Sequence, residues 1–222
     1  ALTRDLLERV PPPPTGDLPF RPAFLVGFPR SGTTMTESVL AAHPVIRTTD
    51  EQPFLGDVKR SLAAATGGSV DDLPGLIARL RPEHVAAGRT EYARRVTDAL
   101  GPVHGVLVDK LPLNLVDVGL VDVLFPEARL IVALRDPRDV CLSCFQQWFG
   151  LNTAMVHFLD PDDTVRFYAT VMGGWLDTRD ALRIPRLEVR YEDTTADLEG
   201  QARRMLETLD VPHLARRDDR LG

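Results

Sequence analysis

Four short runs of this 222-residue chain are almost wholly apolar, and each leads into a stretch with helical spacing. "PAFLVGF" (22–28) precedes "TTMTESVLAAH" (33–43), and "GVLVD" (105–109) precedes "LNLVDVGLVDVLF" (113–125). "ARLIVAL" (128–134) precedes "PRDVCLSCFQQWF" (137–149), and "RLEVRY" (186–191) precedes "TADLEGQARRMLETL" (195–209). Strands without polar alternation are buried on both faces, and helical crossovers make neighbouring strands parallel. The pattern predicts an α/β fold, a parallel sheet with helices on both faces. Ligands of such sheets sit beyond the carboxyl ends of the strands. That places the loop at 27–34, Asp109 with Lys110, and Arg135 with Asp136 on one rim. Pro137 falls where a first helical turn tolerates proline.

The 44% apolar content supplies a core for one large domain or two small ones, and the formal charge of −6 argues against non-specific nucleic-acid binding. No stretch has the length of a membrane span, and none is patterned as a signal peptide. We expect a cytoplasmic protein with no membrane partner. Cys141 and Cys144 are too few for a disulfide framework, and one C-x-x-C gives half of a zinc site. Packing in a helix is the better reading for them than redox chemistry. Arginine dominates the basic residues, and the only lysines are Lys59 and Lys110. The chain opens on Ala1, and "VPPPPTGDLP" (10–19) reads as a stiff extended linker. Residues 1–20 are therefore taken as an N-terminal segment with linker, and 21–222 as one domain cut from a longer protein. The close, "ARRDDRLG" (215–222), is polar and ends without a packed element.

"GFPRSGTT" (27–34) has the glycine spacing of G-x-x-x-x-G-K-[ST], but Thr33 stands where the lysine should be. A tight turn opening a helix presents backbone amides and a positive dipole end to an anion. Ser31, Thr33 and Thr34 add hydroxyls, and Arg30 can fork onto phosphate oxygens. Without the lysine, a monophosphate suits this loop better than a metal-bridged triphosphate. The plain alternative is a glycine-rich turn with no ligand. Arg135 ends a strand and Ser143 lies two turns into the next helix, so the two could share a second phosphate. Equally, Arg135 could pair with Asp136 or Asp139 while Ser143 merely packs.

These stretches carry a resemblance. "FLVGFPRSGTT" resembles the 5′-phosphosulfate loop of sulfotransferases, and "LIVALRDPRDVCLSCF" resembles their 3′-phosphate segment. "VDKLPLN", "FPEARLIVALRDPRD" and "LEVRYEDTTADLEGQARRML" extend the likeness from about residue 22 to 210. It is nearest to tyrosylprotein sulfotransferases and to bacterial sulfotransferases that carry tetratricopeptide repeats ahead of this domain. The resemblance implies the sulfotransferase fold and 3′-phosphoadenosine 5′-phosphosulfate (PAPS) as donor. It also implies the bisphosphate PAP as product, no metal, a small-molecule or peptide hydroxyl as acceptor, and a repeat domain in the full-length chain. A phosphosulfate donor also accounts for a loop without its lysine.

Roles carry over residue by residue. Arg30, Ser31, Gly32, Thr33 and Thr34 would hold the 5′ side of the donor, Arg135 and Ser143 the 3′-phosphate, and Tyr191 the nucleotide. Cytosolic sulfotransferases use a histidine as base, and Pro112 occupies its place here. Tyrosylprotein sulfotransferases use a glutamate, and "TTDEQPFL" (48–55) puts Glu51 on it. The competing reading makes Asp50 and Glu51 caps of a helix starting near Phe54. Lys110 would neutralise the departing phosphate, with Arg30 beside it. His43 reads as a helix-terminal residue. Pro53 and Gln147 replace arginines of the family pattern, and a later donor-closing segment has no counterpart before Gly222. Two other functions are kept open. One is a phosphate-loop kinase or NTPase with Asp109 as magnesium ligand; the other is a nucleotide-binding module without catalysis.

Overall fold

The computed structural model describes residues 2–13, 18–150 and 152–213. Five strands form one sheet: β1 (Arg21–Gly27), β2 (Ile46–Thr48), β3 (Val106–Lys110), β4 (Arg129–Leu134) and β5 (Arg186–Arg190). Their order is β2-β3-β1-β4-β5, with parallel pairing throughout. The helices in chain order are α1 (Arg4–Glu8), α2 (Thr33–Ala41), α3 (Phe54–Thr66), α4 (Leu73–Arg79) and α5 (Pro82–Leu100). There follow α6 (Val118–Leu124), α7 (Pro137–Gln146), α8 (Pro161–Thr178), α9 (Tyr191–Ala196) and α10 (Leu198–Thr208).

Alternation along β1 builds two cores, because successive side chains of a strand point to opposite faces. Phe24 and Val26 join the larger one, with Leu55, Leu76, Tyr92, Leu120 and Trp175 from the helices. Ala23 and Leu25 join the smaller one, with Leu40 of α2 and Met205 and Leu206 of α10. Each large apolar side chain buried in this way contributes about 2 kcal/mol. In register, Asp109 of β3 lies opposite Phe24 and Lys110 opposite Leu25. Two consecutive charged residues are thereby sent to opposite sides of the sheet.

The four expected strands are present, and a fifth was not foreseen. β2 has only three residues, with one buried, so it lacks an apolar run and exists by pairing with β3. The helix expected over 113–125 opens instead as a 3-10 turn at Pro112–Asp117 before α6. Buried polar anchors favour that tighter start: Asn114 Nδ2 donates to Asp109, and Asp117 accepts from Lys59 at 2.6 Å. Tyr191 opens α9 rather than closing β5. Ahead of the sheet, α1 packs Leu7 into the larger core, Val10 joins it just beyond the helix, and Arg4 donates to the Asp180 and Leu182 carbonyls. Residues 14–17 of the expected linker and the polar stretch 215–222 lie outside the described residues. Among the described residues no helix is long and apolar enough to cross a membrane.

Candidate active site

β1 runs straight into the loop at 28–32, and α2 begins at Thr33. Two glycines are required here by shape. A Cβ on Gly27 would lie 2.6 Å from both the Ala133 carbonyl and Ser31 Oγ. Gly32 has φ +99°, and a Cβ there would meet the Tyr191 ring at 2.8 Å. Gly32 caps α2 without a side-chain bond, so the first-turn amides are left for another acceptor. Arg30 also sits in the left-handed region, at φ 69°. Ser31 and Thr33 are buried while Thr34 is exposed. The Ser31 hydroxyl oxygen is buried without a partner, which is costly unless a ligand or water completes it.

Three further residues close on this loop. Arg30 Nε donates to Ser143 Oγ at 3.0 Å. Arg135 donates to the Arg30 carbonyl at 3.4 Å and stacks over the Tyr191 ring, 4.6 Å from its centroid. Its ion pair with Asp139 is long, at 3.7 Å, and Asp136 forks onto Arg138 instead. Arg135 Nε is buried and unpartnered. Two guanidinium groups, one unmet N–H and one unmet hydroxyl thus converge beside a helix N-terminus. That donor set fits an anionic ligand with more than one phosphate-like group.

At the end of β3, Lys110 is clasped by two carboxylates. Its Nζ lies 2.7 Å from Glu51 Oε1 and 3.0 Å from Glu37 Oε2. The lysine side chain is 3% exposed and Glu51 is 51% exposed. Burial works to pull the Lys110 ammonium down, but its hydrogen bonds to Glu51 and Glu37 outweigh it and the pKa is raised. An ammonium has three donors, and two are taken. The backbone fixes the pair as well: Glu51 N donates to the Lys110 carbonyl at 3.0 Å, and Lys110 N donates to Thr49 Oγ1 at 3.0 Å. Asp50 and Glu51 both adopt positive φ, 48° and 62°. Such backbone costs on the order of 1–3 kcal/mol per residue and persists only where surroundings enforce it. Neither residue caps α3, whose N-cap is Pro53 without a side-chain bond. Phe54, the first residue of α3, packs on Tyr92 at 6.3 Å and ties the Glu51 loop to the core.

Asp109 departs from the expected rim. Its carboxylate is fully buried, accepts from Tyr92 Oη at 2.7 Å and faces the larger core. Burial pushes its pKa up to about 7, against opposing hydrogen bonds from Tyr92 and Thr49. A carboxylate held in this way is not presented to a nucleotide-bound magnesium, so the kinase reading loses its ligand. Cys141 and Cys144 are free thiols. Burial pushes Cys144 up to about 12, and its Sγ–H donates to the Pro29 carbonyl, so it packs as a neutral group. His43 is occupied structurally, 3.1 Å from the Pro212 carbonyl and accepting at Nδ1 from Val45 N. Gln147 follows α7, and its side chain bonds to the Trp148 carbonyl.

The structure therefore gathers Glu51 with Lys110, and Arg30 with Ser143, Arg135 and Tyr191 around Ser31 and Gly32. The sequence reading missed Glu37. A signal was present: positions 33, 36, 37 and 40 form the buried stripe of α2, and a glutamate on such a stripe calls for a cationic partner.

The fold and this rim define an α/β protein with a parallel sheet, whose glycine loop ahead of α2 has Thr33 where G-x-x-x-x-G-K-[ST] has lysine. The model of the sulfotransferase family matches residues 22–215, and the chain belongs to that family. A protein of Aquifex aeolicus, described as uncharacterized, is 33% identical over 141 residues, 62% of this chain. That alignment spans 18% of the relative's length. Among solved structures, the sulfotransferase domain of the Synechococcus PCC 7002 olefin synthase superposes with a TM-score of 0.57 at 23% identity, over 90% of this chain and 77% of that one. Sulfotransferase STF9 of Mycobacterium avium gives 0.54 at 18% identity, over 95% of this chain and 67% of that one. A sulfotransferase of Alicyclobacillus acidocaldarius gives 0.51 at 16% identity, over 86% and 82%. At these identities the structures speak for the fold alone.

Proposed function

We propose that this chain transfers a sulfonyl group from PAPS to an acceptor hydroxyl. The observation that carries the reading is the 2.7 Å contact between Glu51 and the buried Lys110 ammonium, on the rim that also holds the anion loop. When bound, PAPS supplies an activated sulfonyl group whose leaving group is a phosphate. Ser31, the first-turn amides of α2 and Arg30 would hold its 5′ side. Arg135 and Ser143 would hold the 3′-phosphate, and the Tyr191 ring would back the nucleotide.

Glu51 is half exposed and reachable by an incoming hydroxyl, so it takes the role of general base. The acceptor O–H bond breaks as the new O–S bond forms, and its proton goes to Glu51. The bond from sulfur to the phosphate oxygen breaks in the same displacement, and charge develops on that oxygen. Lys110 keeps its ammonium charged and has one donor left for that oxygen, where a fixed charge in a buried setting is most effective. Phenols, tyrosine side chains and other alcohols are the acceptor class this chemistry serves. The test is sulfate transfer from PAPS to a panel of such hydroxyls, by wild type and Glu51→Gln. The variant should lose roughly 10²–10⁴-fold in kcat. An unchanged rate would remove Glu51 from the chemistry, and no transfer to any acceptor by wild type would contradict the function.

A further inference from the structure

We propose that Glu37 is the positioning residue for Lys110, holding its ammonium against the helix that starts at the anion loop; this rests on the role given to Lys110 above. Glu37 Oε2 lies 3.0 Å from Lys110 Nζ, and Oε1 is buried with no partner. The residue shares a buried stripe of α2 with Thr33, Thr36 and Leu40. A carboxylate there is expensive to bury, and an apolar residue of similar volume would serve stability as well or better. Its benefit must be local, and the local partner is Lys110.

Two carboxylates hold the lysine in different ways. Glu51 comes from an exposed loop and becomes neutral when it takes the acceptor proton. Glu37 comes from a nine-residue helix, is buried, and takes no part in the acceptor's proton transfer. A lysine stem is flexible, and an ammonium bonded to Glu51 alone would loosen at the moment it is needed. Glu37 keeps Nζ in place and charged while Glu51 changes state. It also ties Lys110 mechanically to α2, so the lysine and the loop amides move as one body. Among the described residues, the titratable groups in contact with the Lys110 ammonium are Glu37 from α2 and Glu51 from its loop. Asp109, the neighbour on the same strand, faces Tyr92 on the other side.

The test is Glu37→Gln, which keeps the volume and an acceptor oxygen but removes the charge. Bonds to charged groups are the stronger kind, so kcat should fall about tenfold or more. The donor KM should change little, and the alkaline limb of kcat should move to lower pH. Glu37→Asp keeps the charge and should recover part of the rate. An unchanged kcat and pH profile per folded enzyme would overturn the proposal, even if the melting temperature moved. A second readout needs no catalysis. The chain has only two lysines, Lys59 and Lys110, so NMR of ¹⁵N-lysine protein follows Nζ of each, with Lys59→Arg assigning the signals. The Lys110 midpoint should be lower in Glu37→Gln than in wild type, and an identical midpoint would overturn the coupling. Should the midpoint move in a protein that transfers no sulfate, the coupling stands and the reaction assigned to the site falls.

Discussion

Asp109 and Lys110 are adjacent on one strand, both buried, and chemically opposite in fate. Asp109 faces the larger core, meets the hydroxyl of Tyr92 and has a pKa raised to about 7. No cation is among the causes of that shift, so desolvation wins over its hydrogen bonds. Lys110 faces α2, meets two carboxylates, and its pKa rises despite burial. Desolvation acts on both, and only the lysine has counter-charges. A one-residue step along a strand separates a group built into the core from the one to which the proposed reaction assigns a role. The lesson is that rim position alone does not set a residue's surroundings; the face decides.

Three substitutions probe this contrast. The largest effect belongs to Lys110→Met. Removing a preorganised charge from a developing oxyanion typically costs about 10²–10³-fold in kcat, and the loss should appear per folded enzyme. A rate near wild type would erase the functional half of the comparison. Next is Tyr92→Phe, which strips Asp109 of its hydroxyl partner. Leaving a buried acceptor unmet costs about 1–3 kcal/mol, so denaturant unfolding should show that loss with little change in kcat. An equal loss of kcat would make Asp109 part of the site.

The smallest effect is a change of slope in Asp109→Asn. The folded protein holds the Asp109 proton up to about pH 7, whereas the unfolded chain releases it near the ordinary carboxyl value of 3.8. Between those values the native state binds the extra proton, so this group's contribution to stability falls as pH rises and is lost by pH 7. Asp109→Asn should flatten that decline, seen as melting temperature against pH, while kcat holds. An unchanged pH dependence would show that Asp109 titrates normally.

Much of the fold was readable because four strands are continuous apolar runs joined to helical stretches. β2 was not readable: three residues held by pairing leave no pattern in composition. The glycine spacing announced the tight loop ahead of α2, since Gly27 and Gly32 sit where a Cβ would clash. Glu51 was reachable only through resemblance, because its neighbourhood reads equally as a helix start. Its contact with Lys110 spans 59 residues and comes from sheet register and the strained turn at 50–51. Asp109 was misplaced because strand-end position is visible in sequence while facing direction depends on which neighbour it pairs with. Glu37 went unnoticed because a glutamate suits any helix, and only burial marks it out.

The central claim is that the rim at 27–34, 110, 135 and 143 is built for a 3′,5′-bisphosphate nucleotide. The most direct measurement is calorimetric titration of the protein with PAP and with ADP, each with and without Mg²⁺. The account expects PAP to bind without metal and more tightly than ADP, because the second phosphate engages Arg135 and Ser143. Binding of ADP only with Mg²⁺, and none of PAP, would contradict it.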